Sequence, residues 1–128
     1  MNVVDSSGWI EYLVGGPDAV FFREPLLDSD ALVVPSISIL EVYRYVLRQR
    51  GRPDAMAVAA AMQQAKVVPL DESLAIEASE ISVSLGLPMA DSIIYATAVL
   101  HDATLWTQDA DFEGLERVRY RRKGGVVG

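Results

Sequence analysis

Apolar residues fall into two spacings along this chain, and the two alternate. Short unbroken apolar runs bounded by turn formers read as strands, and longer stretches with polar interruptions every three or four positions read as helices. Residues 2–5 (Asn-Val-Val-Asp) form the first short strand, with Ser6-Ser7-Gly8 turning the chain after it. A short helix follows from Trp9 to Val14, stopped by Gly15-Gly16-Pro17, and Asp18 is placed to cap a second helix reaching about Leu27. Ala31 to Val34 is a strand ended by Pro35, and Ser36 opens a long helix to about Arg50. An alanine-rich helix spans Asp54 to Gln64, and Lys66 to Leu70 is strand-like. Asp71 starts a helix to about Leu85 that Gly86 breaks, and Pro88 suits the first position of the next, which runs to about His101. Ala103 to Thr107 is a strand, Asp111 to Leu115 a short helix, and Arg117 to Arg121 a last, polar strand.

Continuous apolar strands alternating with helices predict a parallel sheet covered on both faces, an α/β sandwich. In such folds ligands bind beyond the carboxyl ends of the strands, at a switch in strand order. Asp5 and Asp109 each lie at or just past such an end, which puts two acids on the functional rim. The 128 residues fit one domain, with residues from about 122 to 128 forming a basic, glycine-containing tail.

Composition narrows the chemistry. Half the residues are hydrophobic (51%) and 23% are charged, which excludes a disordered chain. There is no cysteine, so neither a disulfide framework nor a thiolate metal site exists. The first residues lack the basic and apolar segments of a signal peptide, and no run is long and apolar enough to span a membrane, so the cytoplasm is the simplest expectation. A net charge of −7 argues against a uniformly basic nucleic-acid surface. The bases are concentrated, however. All eleven except Arg23 and Lys66 fall in two clusters, Arg44, Arg48, Arg50 and Arg52, and Arg117, Arg119, Arg121, Arg122 and Lys123.

The acids in apolar settings each have a local explanation. Asp5, like Ser6 and Ser7, is a good helix cap. Glu41 has Arg44 three positions on for an ion pair, but its other neighbours, Ile37, Leu40 and Tyr45, would desolvate it. Asp91 closes the first turn after Pro88, where the helix dipole favours an acid by ~0.3–1 kcal/mol. Asp109 and Asp111 are ordinary turn and cap residues. His101, beside Asp102 at a helix end, reads as a dipole partner or exposed polar residue.

Taken together, these explanations require four separate coincidences that put carboxylates on one rim. Two carboxylates ~4 Å apart repel by about 4 kcal/mol at an effective dielectric of roughly 20, so a cluster calls for a divalent cation. Carboxylates without His or Cys select hard ions such as Mg²⁺ or Mn²⁺, which serve in-line phosphoryl displacement.

Three segments, VVDSSGWIEYL, SISILEVYRYVL and LPMADSIIYATAVLHDATLWTQDADF, resemble in order and spacing the PIN-domain ribonucleases, most of all the small VapC-type toxins of prokaryotic toxin–antitoxin pairs. The resemblance covers nearly the whole chain. It implies a PIN-like three-layer α/β/α sandwich with a mainly parallel central sheet of four to five strands, in a homodimer. It implies a Mg²⁺- or Mn²⁺-dependent endoribonuclease with Asp5, Glu41, Asp91 and Asp109 as catalytic acids. Of these, Asp5, Asp91 and Asp109 would hold the metal, and Glu41 would hold or deprotonate the attacking water. The hydroxyls of Ser6, Ser7 and Thr107 would orient carboxylates or waters, and Asp111 falls at a further acidic position. The implied reaction leaves a 5′-phosphate and a 3′-hydroxyl, and the implied partners are RNA and a cognate antitoxin. The alternative is a catalytically silent PIN-like module that binds RNA or protein. Phosphoacceptor domains of similar layout fit less well, since the second acid of a haloacid-dehalogenase-like phosphatase would fall at Ser7.

Overall fold

The computed structural model describes residues 1–124, in which five short parallel strands alternate with helices. The elements run β1 (Asn2–Val4), α1 (Ser6–Val14), α2 (Ala19–Leu27), β2 (Val33–Pro35), α3 (Ser36–Arg50), α4 (Arg52–Met62), β3 (Lys66–Val68), α5 (Glu72–Leu85), α6 (Met89–Leu100), β4 (Thr104–Thr107) and β5 (Val118–Tyr120), with 3-10 turns at Ser29–Ala31 and Ala110–Phe112. The expected elements are present except the short helix over Asp111–Leu115, which is a single 3-10 turn at Ala110–Phe112. The largest boundary shift is in α1, which starts at Ser6 rather than Trp9 because Asp5 caps it, its carboxylate accepting from the Gly8 N–H.

The sheet is built as two pieces rather than one ladder. β1, β4 and β5 form a three-stranded sheet in the order β1-β4-β5, and β2 pairs with β3. A single parallel bridge from Asn2 to Leu32 sets β2 beside β1, so the strands read 3-2-1-4-5. Strand order therefore reverses at β1, whose neighbours β2 and β4 lie on either side. That reversal opens the crevice in which such folds place their sites.

The apolar strand runs are continuous because both faces of the sheet are covered. Val4, Val34 and Trp106 point into one layer with Trp9, Phe22, Val42, Val46 and Met62 from α1–α4. Val3, Val33 and Leu105 point into the other with Ile94, Tyr95, Ala98 and Phe112. Each fully buried side chain of that size contributes about 1.5–3 kcal/mol of transfer free energy. The two layers meet at the sheet, so the core is divided by it rather than centred on one face.

Two local features aim α6 at the strand ends. Gly86 ends α5 in the left-handed region (φ 70°), where a side chain is strained, and the chain bends by 113° into α6. Residues Ser92 to Ala98 of α6 are then buried all round, between the sheet and α5. Among the described residues no single helix is long and apolar enough to cross a membrane.

Candidate active site

The site assembles from loops that leave β1 and β4, from the first turn of α6 and from the first half of α3. Asp5 follows β1, and its N–H donates to the Trp106 carbonyl, which extends the β1–β4 pairing by one bond and fixes the residue on the rim. Its carboxylate is 3% exposed and fully hydrogen-bonded. Oδ1 accepts from Ser7 Oγ at 2.7 Å and from the Gly8 N–H at 2.9 Å, and Oδ2 accepts from Thr107 Oγ1 at 2.6 Å. Burial raises the Asp5 pKa above the ordinary 3.8, the three donors oppose that rise, and the charge of Asp109 adds to it.

Thr107 links the two strand ends. While donating to Asp5 it accepts from the Asp109 N–H at 2.9 Å, and Asp109 Oδ1 in turn accepts from the Asp111 N–H at 2.9 Å. This chain of bonds runs from β1 across β4 to the turn that follows it. Carboxylate oxygens of Asp91, Asp109 and Asp111 then lie within 4.8 Å of one another. Asp91, at the start of α6, carries the electrostatic cost of this convergence. Its pKa is pushed up to about 7, first by burial and then by the charges of Asp109, Asp5, Asp111 and Glu41.

Glu41 approaches from α3. Ser6 Oγ donates to its Oε1 at 2.6 Å, which fixes the carboxylate beside the start of α1. Among the described residues no ion pair joins Glu41 to Arg44. Instead Glu41, Arg44 and Arg48 line one groove of about 610 Å³ with Ser6, Ser7 and Ala90.

Every acid proposed from sequence therefore reaches one rim. The tightest triangle contains Asp111 in place of Asp5, while Asp5 sits beneath it, close enough to raise the Asp91 pKa. Oxygens this close could be bridged by a hard cation, whose octahedral ligands at ~2.1 Å stand ~3 Å apart, so the side chains would draw together around it.

A family model for the PIN domain matches residues 3–118. The chain belongs to the PIN-domain family. Solved structures agree on the fold. A toxin–antitoxin complex from Klebsiella pneumoniae superposes with a TM-score of 0.80 at 21% identity, covering 93% of this chain and 96% of the other. VapC20 of Mycobacterium tuberculosis, a toxin that cleaves the sarcin–ricin loop, gives 0.71 at 19% identity over 88% of this chain and 92% of its own. VapBC2 from Rickettsia felis, bound to a promoter DNA fragment, gives 0.71 at 14% identity over 94% and 96%. No curated protein matches the chain by sequence.

Several parts of this PIN domain were not visible in its sequence. Gly8 is one: a Cβ there would stand 2.6 Å from the Phe22 ring and 2.8 Å from Val4, so only glycine lets α1 start against β1. Asp18 is another. It occupies the cap position of α2 but makes no capping bond, and its buried carboxylate binds the C-terminal segment instead, accepting from Arg121 Nε at 3.0 Å and from the Gly124 N–H at 2.8 Å. The segment expected to form a tail from about residue 122 is thus tied down at Gly124, while residues 125–128 lie outside the described residues. His101 caps the C-terminus of α6 with its backbone N–H, on the rim opposite the acids. Its neighbour Asp102 pairs with Arg117 at 3.2 Å.

Proposed function

We propose that this PIN domain is a metal-dependent endoribonuclease and the toxin of a toxin–antitoxin pair, acting in the cytoplasm as a homodimer held in check by an antitoxin. The convergence of Asp91, Asp109 and Asp111 above Asp5 carries the reading. A half-buried acid raised to about 7 by desolvation and by the charges of its neighbours is unstable in its charged form and would become stable around a divalent cation. The toxin–antitoxin neighbours support the biological assignment, and the RNA-cleaving neighbour supports the substrate class.

Asp91, Asp109 and Asp111 would hold Mg²⁺ or Mn²⁺, with Asp5 completing the site directly or through water. When bound, the ion lowers the pKa of water and neutralises charge on the transferring phosphoryl group. The remaining work falls to the protein. Ser7, Gly8 and Thr107 keep the Asp5 carboxylate oriented, and Thr107 also fixes the backbone that carries Asp109. Glu41 has Oε1 occupied by Ser6, which leaves Oε2 to accept a proton from the attacking water. Arg44 and Arg48, in the same groove, would meet the backbone phosphates. Hydrolysis then leaves a 5′-phosphate and a 3′-hydroxyl.

The test is cleavage of total RNA by purified protein in Mg²⁺ or Mn²⁺, in EDTA, and by Asp91→Asn and Asp109→Asn. Cleavage is expected only for the wild type with metal. Cleavage that persists in EDTA, or in both variants, overturns the proposal. Metal-dependent RNA binding without cleavage would favour the silent-module alternative.

A further inference from the structure

We propose that Arg122 and Lys123, held in place by Asp18, form a phosphate-binding subsite for single-stranded RNA beside the acid cluster. This rests on the reading of the chain as a ribonuclease and extends it to the side of the site away from α3.

The C-terminal basic cluster looks uniform in sequence but is divided in space. Arg117 precedes β5 and is tied to Asp102 on the far rim. Arg119 lies over the Trp106 ring at 4.4 Å. Arg121 pairs with Asp18. Among the described residues, Arg122 and Lys123 are the bases of this cluster that line the space beside the acids, a cavity of about 420 Å³ shared with Ser7, Gln108, Asp109 and Tyr120. Both are exposed, and neither forms an ion pair among the described residues. That volume lies in the ordinary range for small-ligand sites.

Their placement is built in. The Asp18 side chain is 0% exposed, and its two oxygens take one bond from each side of the pair, Oδ1 from Arg121 and Oδ2 from the Gly124 N–H. Residues 122 and 123 are therefore bracketed on an anchored backbone. Asp18 is fixed in turn by its own N–H, which donates to Glu11 Oε2 at 2.7 Å. A fully buried acid spent on anchoring two exposed cations beside a carboxylate cluster has a use if those cations meet an anion there.

The cavity also continues the groove on the other side. Ser7 lines both spaces, Ala90 (next to Asp91) lines the Arg44–Arg48 groove, and Asp109 lines the Arg122–Lys123 cavity. The acids thus sit between two basic walls, and a strand crossing them meets cations before and after the reacting phosphate.

The test measures binding of a fluorescein-labelled single-stranded RNA 12-mer of mixed sequence in EDTA at several salt concentrations. Each phosphate contact contributes a slope of about −0.7 to log K against log salt. Removing two contacts in Arg122→Ala/Lys123→Ala should therefore make the slope shallower by about 1.4 and weaken binding by about 25-fold at 0.1 M salt. Arg122→Lys/Lys123→Arg should keep the wild-type slope. Asp18→Asn, checked for folding by circular dichroism, should lose slope like the alanine pair although it removes no contact itself. An unchanged slope in the alanine pair overturns the subsite, and an unchanged slope in a folded Asp18→Asn overturns its anchoring. Binding is read without turnover, so a steep slope in a protein that never cleaves RNA with metal would sink the nuclease reading and leave the subsite standing.

Discussion

Replacing Asp91 by asparagine should abolish activity and at the same time stabilise the metal-free protein at neutral pH. The sign follows from linkage. The native Asp91 pKa is about 7 against an ordinary 3.8, so the folded state holds the proton over a range where the unfolded state has lost it. Stability contributed by the neutral acid is complete below about 3.8 and is lost as pH rises toward 7, after which it is flat. The group is half-buried, so the shift translates, after solvent screening, to ~1–2 kcal/mol. The charge also gains ~0.3–1 kcal/mol from the first turn of α6, which asparagine forfeits. A net gain of ~1 kcal/mol remains, equivalent to a melting temperature about 3–5 °C higher for a domain of this size. Thermal melts in EDTA at pH 5, 6, 7 and 8 measure it. The gap between variant and wild type should already have opened by about a third of its full size at pH 5, widen to about pH 7 and change little beyond it. Adding Mn²⁺ should raise the wild type and leave the variant in place, since only the wild type gains ligand binding energy. A wild type that melts at or above the temperature of Asp91→Asn in EDTA at pH 8 would refute the argument that neighbouring charge and burial strain this residue.

Two further substitutions test the frame around the acids. Thr107→Val deprives Asp5 Oδ2 of its 2.6 Å donor and Asp109 of the acceptor for its N–H. It should destabilise the protein by about 2–3 kcal/mol and lower metal affinity about 10–100-fold, with Thr107→Ser restoring both; calorimetric Mn²⁺ titration and urea melts read the two effects. Gly8→Ala forces a Cβ against the Phe22 ring and Val4, and should lower the urea midpoint by the equivalent of about 1–3 kcal/mol without changing the transition slope.

What the sequence made legible, and what it hid, divides by the range of the contact. Strand and helix positions follow from local apolar runs, and pairs such as Val3-Val4, Val33-Val34 and Leu105-Trp106 stand as doublets because the sheet buries one member in each layer. The partner of Asp18 lies 103 residues away, and nothing local distinguishes that acid from an ordinary cap. The division of the C-terminal bases was hidden for the same reason, because the groups that hold Arg117, Arg119 and Arg121, namely Asp102, the Trp106 ring and Asp18, come from other parts of the chain. Asp111 was legible as an acid but not as part of the triangle, since the turn after β4 decides where it points.

For the acids themselves, helix cap and member of the acid cluster are not alternatives. Asp5 caps α1 through the Gly8 N–H and still offers its charge to the cluster, and Asp109 receives the Asp111 N–H at the head of the next turn while standing in the triangle. The two roles coincide for a physical reason. In a parallel sheet each strand end is followed by the start of a helix or turn, where N–H groups have no partners within the element. Those donors hold a carboxylate on the rim in a fixed orientation and offset part of its burial. Asp91 is the exception that discriminates. Among the described residues no hydrogen bond reaches its side chain, and burial together with charges of its own sign raises its pKa to about 7. An acid satisfied by local donors is explained by the fold alone. Asp91, whose charge the surrounding fold disfavours, is the residue on which the proposed cation site chiefly rests.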